Sequence, residues 1–292
     1  MRWPDRLRNN PQRIETLEAE LVRLQEALGR IESRQVKSAG VRSAVDAEYR
    51  VFSQGGEDGI IDWLTEQVPI ERRLFVEFGV EDYREANTRF LLAHRNWSGL
   101  VFDSSPGNID AIRQRRGFWY RDLQAAAAFI TRDNINDLLR THGAEGDIGL
   151  LSIDIDGNDY WVWQAIDVVS PRIVAIEYNS RLGAQKAVSI PYRADFERAR
   201  AHHSMLYYGA SLRGLWNLGQ QKGYELVCCN SGGNNAFFVR ADVMPPGLQP
   251  ATVEDAFVRA KFRESRDATG RLDYLDAAQE EQLLASLDWV DV

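Results

Sequence analysis

Cysteine is nearly absent from this 292-residue chain, and its only two copies, Cys228 and Cys229, are adjacent. Neighbouring cysteines cannot staple distant segments, so a disulfide scaffold and a thiolate zinc site are excluded and a cytoplasmic protein is expected. Long apolar runs are missing too. None approaches the roughly 18 to 20 residues of a membrane span, and no signal peptide is read at the start. Positive charge is not in excess: 35 Lys and Arg stand against 43 Asp and Glu, a net charge of -8. No nucleic-acid partner is expected from such a balance. What is present is 44% hydrophobic and 10% aromatic residues, enough for one large core with appendages.

The first forty residues differ from the rest. Ile14, Leu17, Leu21, Leu24, Leu28 and Ile31 recur at alternating spacings of three and four, the seam of a coiled coil. Asn9 or Asn10 is placed to cap this helix, with Pro11 in its first turn. Packing against its own domain is the alternative use of the stripe. Its narrowness and the charged flanks favour self-association into a homo-oligomer over residues 14–37. The preceding tail, residues 1–13, has four arginines against one aspartate. It suits solvent or an anionic membrane surface, so peripheral contact with the inner membrane face is an alternative to a purely soluble tail.

Residues 38–48 read as a polar linker. From Tyr49, helices alternate with short apolar strands, "RLFVEF" (73–78), "GLVFD" (99–103), "FWYRD" (118–122), "GLLSID" (149–154) and "PRIVAIEY" (171–178). Helices are expected near 57–67, 86–95 and 107–116, in "TRDNINDLLRTHG" and through Trp161 and Trp163. This rhythm implies an α/β fold with a parallel sheet covered on both faces. "YELVCCN" and "NAFFVR", joined by "SGGN", then read as an antiparallel hairpin. Five parallel strands followed by such a hairpin make the Rossmann-like class I methyltransferase fold, over about 49–250. Residues 251–292 read as a charged helical extension.

Open parallel sheets bind ligands beyond the carboxyl ends of their strands. The first such end holds Glu77 and Gly79, where glycine lets the backbone approach a ligand and an acid meets a cation. Asp103, with Ser104 after it, follows 24 residues past Gly79, near the spacing for a carboxylate on ribose hydroxyls. A sulfonium, an amino group and a ribose suit two carboxylates, whereas a pyrophosphate does not. Asp122, closing the third predicted strand, is a candidate acceptor for an adenine amine, or else only a helix cap.

The stretches "SQGGEDGII", "FVEFGVEDYREANTRFLL", "LLSIDIDGNDYWVWQAI", "PRIVAIEYN", "YYGASLRGLWNLGQQKGYELV" and "NNAFFVR" resemble FkbM-like class I methyltransferases, particularly bacterial members encoded with polysaccharide genes. The resemblance covers roughly residues 49–240 and not the N-terminal coil. Tyr83 departs from it, since such sequences often have glycine after "VED" and tyrosine tolerates positive φ poorly. The resemblance implies S-adenosylmethionine as cofactor and O-methylation of a sugar hydroxyl on a small-molecule or glycan acceptor.

A hydroxyl becomes a methyl acceptor only if its proton is removed, by a general base or through a divalent cation. Asp154 ends its strand, Asp156 lies in the turn made by Gly157, and the next strand ends in Glu177. Adjacent strand ends lie about 5 Å apart, so these acids can converge on a hard cation. Related sugar O-methyltransferases hold magnesium at such strand ends, and the resemblance carries that role to Asp154, Asp156 and Glu177. Without a cation, Asp154 faces the sulfonium side of the cofactor, while Asp156 or a histidine, His203 or His202, takes the proton. Asp159 is read as starting a helix. Tyr160, Trp161, Tyr178, Tyr207 and Tyr208 are read mainly as core residues, with sugar stacking the alternative. Two other readings stay open: a metal-dependent glycosyltransferase using Asp154-x-Asp156, and a non-catalytic coiled-coil scaffold.

Overall fold

Strand residues that are buried on both faces read as nearly continuous apolar runs, and such runs build the central sheet. The computed structural model describes residues 11–115 and 117–292; residues 1–10, which hold most of the basic tail and its capping asparagines, lie outside the described residues. The chain forms α1 (Pro11–Ser38), α2 (Glu57–Gln67), β1 (Leu74–Phe78), β2 (Ser98–Asp103), α3 (Pro106–Gln114), β3 (Leu123–Ala127), α4 (Ile135–Thr141) and β4 (Gly146–Ile153). There follow α5 (Asp159–Ala165), β5 (Val169–Glu177), β6 (Val188–Ser189), α6 (Arg198–Ala201), α7 (Leu212–Gln221), β7 (Tyr224–Cys229) and β8 (Asn235–Arg240). The chain closes with α8 (Val253–Ala256), α9 (Ala277–Ala285) and β9 (Val290–Asp291).

The main sheet has the order β3-β2-β1-β4-β5-β8-β7. Strands β1 to β5 pair in parallel, and β8 runs antiparallel to both β5 and β7. This is a Rossmann-like sheet in the strand order of class I methyltransferases, with the reversal of strand order between β1 and β4. Pleat alternation feeds two cores. Val76, Phe78, Leu151 and Ile153 pack with α4, α5 and α7 on one face. Phe75, Val101, Leu150 and Ala175 pack with α2 and α3 on the other. Cys228 and Cys229 are both free and buried.

Three expectations need correction. "FWYRD" is not a strand: Phe118–Tyr120 is a 3-10 turn entered through Gly117 at φ 101, with Trp119 exposed, and β3 starts at Leu123. The helix expected over 86–95 shrinks to a π-helical turn, Leu91–Arg95, after an irregular loop. Residues 251–292 are mostly irregular, with two short helices, and they pack into the fold. Val258 N–H meets Tyr178 Oη, Arg181 pairs with Glu264 and Glu280 at 3.0 Å each, and β9 pairs with β6. The 38–48 segment also lies against the domain, where Trp63 Nε1–H donates to the Val41 carbonyl. No helix among the described residues is long and apolar enough to cross a membrane.

Candidate active site

Register decides which side chains meet. Phe78 aligns with Phe102 and with Ile153, and Ile153 aligns with Ile176. One residue further, Gly79, Asp103, Asp154 and Glu177 therefore stand in one row across the carboxyl edge. At about 4.8 Å per strand, Asp103 and Glu177 bracket roughly 15 Å of that edge. Alternation from Val101, Leu150 and Ala175 sends the three acids to the same side of the sheet.

Gly79 sits at the switch point with φ 75, and a Cβ there would lie 1.6 Å from the Asp154 carbonyl oxygen. The close approach expected for a ligand is thus made by the neighbouring strand. Glu77, two residues below the row, is buried. Its Oε1 accepts from Asn87 N–H at 2.8 Å, and its Oε2 accepts from Thr88 N–H at 3.1 Å and Thr88 Oγ1 at 2.5 Å. Burial pushes its carboxyl up to about 7, against the pull of those donors. Glu77 therefore pins the loop after β1. Tyr83 in that loop does adopt φ 62. Its ring is buried, its hydroxyl bonds Thr88 Oγ1 at 2.9 Å, and Arg115 donates to its carbonyl. Asp103 accepts from Glu81 N–H at 2.9 Å through Oδ2, and from Ser105 N–H and Asn108 Nδ2 through Oδ1. Ser104 beside it is exposed.

Asp122 belongs to the other edge of the sheet. Its carbonyl accepts from Gly99 N–H and its carboxylate from Ser98 Oγ, both at the start of β2. The misplaced third strand put it at a carboxyl end; the true end is Ala127, aligned with Asp103.

The acids after β4 separate sharply. Asp154, Asp159 and Glu177 each offer an oxygen, all within 4.8 Å of one another. Asp156 does not join them. It takes φ 55, remains largely exposed and pairs with Arg198 at 2.6 Å. The left-handed turn residue is thus Asp156 and not Gly157, whose missing Cβ leaves room for the Phe196 ring. Asp159 starts α5, as expected, and accepts from Ile155 N–H at 2.9 Å and Gly157 N–H at 2.8 Å. Burial and then Asp156 and Asp159 push Asp154 well above the usual carboxylate range, and burial and then Asp154 do the same to Glu177. Asp159 rises to about 6 through burial. Glu177 Oε2 is buried with no hydrogen-bond partner.

Arg198 is the residue that sequence reading missed. Its guanidinium lies 3.8 Å over the Tyr208 ring, holds Asp156 and Glu264, and donates through Nε to the Met205 carbonyl. Its positive charge lowers the raised proton affinities of Asp154 and Glu177. No spacing rule joins it to acids that precede it on two other strand ends. His203 is exposed and packs against His202 with the rings tilted by 35° and their centroids 4.2 Å apart, and no described contact joins it to the acids. Tyr178 and Tyr208 are fully buried, whereas Trp161 keeps partial exposure and donates through Nε1 to the Ile190 carbonyl.

A cavity of about 570 Å³ lies at the opposite edge, lined by Lys37, Asp62, Glu66, Arg73 and Arg95 among others. Arg95 pairs there with Asp62 and Glu66 at 2.7 Å each.

No family model matches the chain, and no curated protein matches it. Among solved structures it is similar to the N-terminal domain of EvdMO1 with SAH bound, at 11% identity over 72% of this chain and 94% of that one, with a TM-score of 0.42. It is similar also to an O-methyltransferase from Bacillus cereus in complex with SAH, at 13% identity over 72% and 88%, TM-score 0.42. Cofactor-bound Rv0187 from MTB shares 16% identity over 82% of this chain and 99% of that chain, TM-score 0.41. The fold itself, read from strand order and direction, is the class I methyltransferase sheet with its reversed β8.

Proposed function

We propose that this chain is an S-adenosylmethionine-dependent O-methyltransferase acting on a sugar hydroxyl of a bacterial surface polysaccharide or related glycan. The observation that carries the reading is the row of Asp103, Gly79, Asp154 and Glu177 along the carboxyl edge at the switch point. The glycan class rests on the sequence resemblance. Each Asp103 oxygen keeps lone-pair capacity beside its protein donors, so its carboxylate accepts from the ribose hydroxyls of the methyl donor. Asp154 and Glu177 then stand on the acceptor side. The acceptor oxygen attacks the methyl carbon in line, the carbon–sulfur electron pair returns to sulfur to leave a neutral thioether, and the hydroxyl proton passes to the Asp154–Glu177 pair. Burial and mutual repulsion raise the pair's affinity for a proton, which favours its transfer from the hydroxyl.

The same oxygens fit a hard divalent cation, Mg²⁺ or another, held by Asp154, Asp159 and Glu177, because the buried Glu177 Oε2 has no donor of its own. Bound there, such an ion would supply positive charge that lowers the acceptor hydroxyl's pKa. Asp156 drops out of the set. Its outward turn also counts against the glycosyltransferase reading, in which Asp154 and Asp156 share one ion.

The test is transfer of a radiolabelled methyl group to polysaccharide acceptors, with and without EDTA. Label in the glycan that falls in EDTA and returns with Mg²⁺ is expected. Full labelling in EDTA would remove the cation, and cofactor binding without labelling of any acceptor would favour a scaffold.

A further inference from the structure

The longest exposed apolar row among the described residues lies on α1. Ile14, Leu17, Leu21, Leu24, Leu28 and Ile31 are between 49% and 64% exposed. The opposite face of the same helix is already occupied. Val22 packs with Val51, Phe52 and Phe90, and a Cβ on Gly29 would lie 2.6 Å from side-chain atoms of Phe90 and Val51. Ser33 Oγ donates to Asp62 Oδ2 at 2.7 Å. With the stripe at heptad positions a and d, these anchors fall at b and f, on the far side. The helix cannot roll its leucines inward without tearing out Gly29 and Ser33, so both readings of the sequence hold at once: one face is docked and the other is open.

We infer that the open stripe pairs with the same stripe of a second copy as a parallel two-stranded coiled coil. A strict alternation of three and four is self-complementary about a two-fold axis. Its area is adequate: six side chains leaving on the order of 100 Å² each, doubled across two copies, reach the roughly 1,200 Å² where standard interfaces begin. Charge sets the direction. In parallel register Arg13 of one chain meets Glu18 of the other, and Glu20 and Glu32 meet the neutral Gln25 and Ala27. The antiparallel register that overlaps the whole stripe would set Arg13 against Arg34. Because α1 is fixed to its domain, the pair also fixes how two sheets face each other. The Gly29 contact reaches Val51 and Phe90, which border the loops that close the carboxyl edge.

Light scattering of the full chain at micromolar concentration should give twice the chain mass. Leu17→Glu/Leu24→Glu should give the monomer mass with the near-ultraviolet signal of the core tryptophans retained. Leu17→Cys should form a disulfide-linked dimer on mild oxidation, since residue 17 faces its own copy only in the parallel pair, and both native cysteines are buried. A monomeric wild type, or a mass unchanged by the double substitution, would overturn the pairing. A monomer that floats with phosphatidylglycerol-containing vesicles would overturn it too, giving the stripe to a membrane. Cross-linking only in Leu17→Cys/Leu28→Cys would overturn the parallel direction.

Discussion

Gly79 shows how little freedom the site leaves at single positions. Its φ of 75 and the 1.6 Å that would separate a Cβ from the Asp154 carbonyl forbid any side chain. Gly79→Ala should cost at least about 3 kcal/mol, because it combines left-handed strain with a clash against backbone. Urea unfolding measures this, and stability equal to wild type would contradict the close crossing of β1 and β4. Tyr83 and Asp156 show the opposite case, non-glycine residues held at positive φ by their surroundings. A buried ring, the Thr88 hydroxyl and Arg115 fix the first, and Arg198 fixes the second. Arg198 joins the turn after β4 to the C-terminal segment through Glu264.

Two loops at the carboxyl edge are pinned by buried acids. Glu77 holds the loop after β1. Asp58 Oδ2 accepts the N–H groups of Val51, Phe52 and Ser53 together with Ser53 Oγ, holding the loop before α2. Burial raises Asp58 to about 6 and Glu77 to about 7. The folded state therefore keeps protons that the unfolded chain releases from about pH 4 upward. The stability these two acids contribute is fully present below that point and is lost as pH rises to about 7, by a few kcal/mol in total. Denaturant midpoints at pH 5.5 and pH 8 check this, with the lower midpoint expected at pH 8. Equal midpoints would mean that the loop N–H donors offset burial. The elements that carry these acids were largely legible. Apolar runs gave the strands around Glu77, Asp103, Asp154 and Glu177, and the reversed hairpin gave the fold class. What was hidden has a common cause. Asp159 joins the acids, and Arg198 ties the turn beside them to Glu264 of the 251–292 segment, through contacts between distant segments that no local period encodes. "FWYRD" failed because aromatic content alone does not make a strand when Gly117 turns the chain just before it.

At the scale of the molecule, one sheet presents its acids at one edge and an anchored helix carries an exposed stripe of leucines and isoleucines. The C-terminal segment is integral to that body. The buried Arg181 pairs with Glu264 and Glu280, and a Cβ on Gly233 would lie 2.6 Å from Ala260 N. The central claim is that the row along the carboxyl edge binds the methyl donor. Calorimetric titration of the full chain with S-adenosylhomocysteine tests it most directly. The account predicts one site per chain at ordinary micromolar affinity, weakened at least about tenfold in Asp103→Ala by the loss of charge-assisted ribose hydrogen bonds. Heat from a nucleotide sugar with none from S-adenosylhomocysteine, or equal affinity in the Asp103→Ala variant, would contradict it.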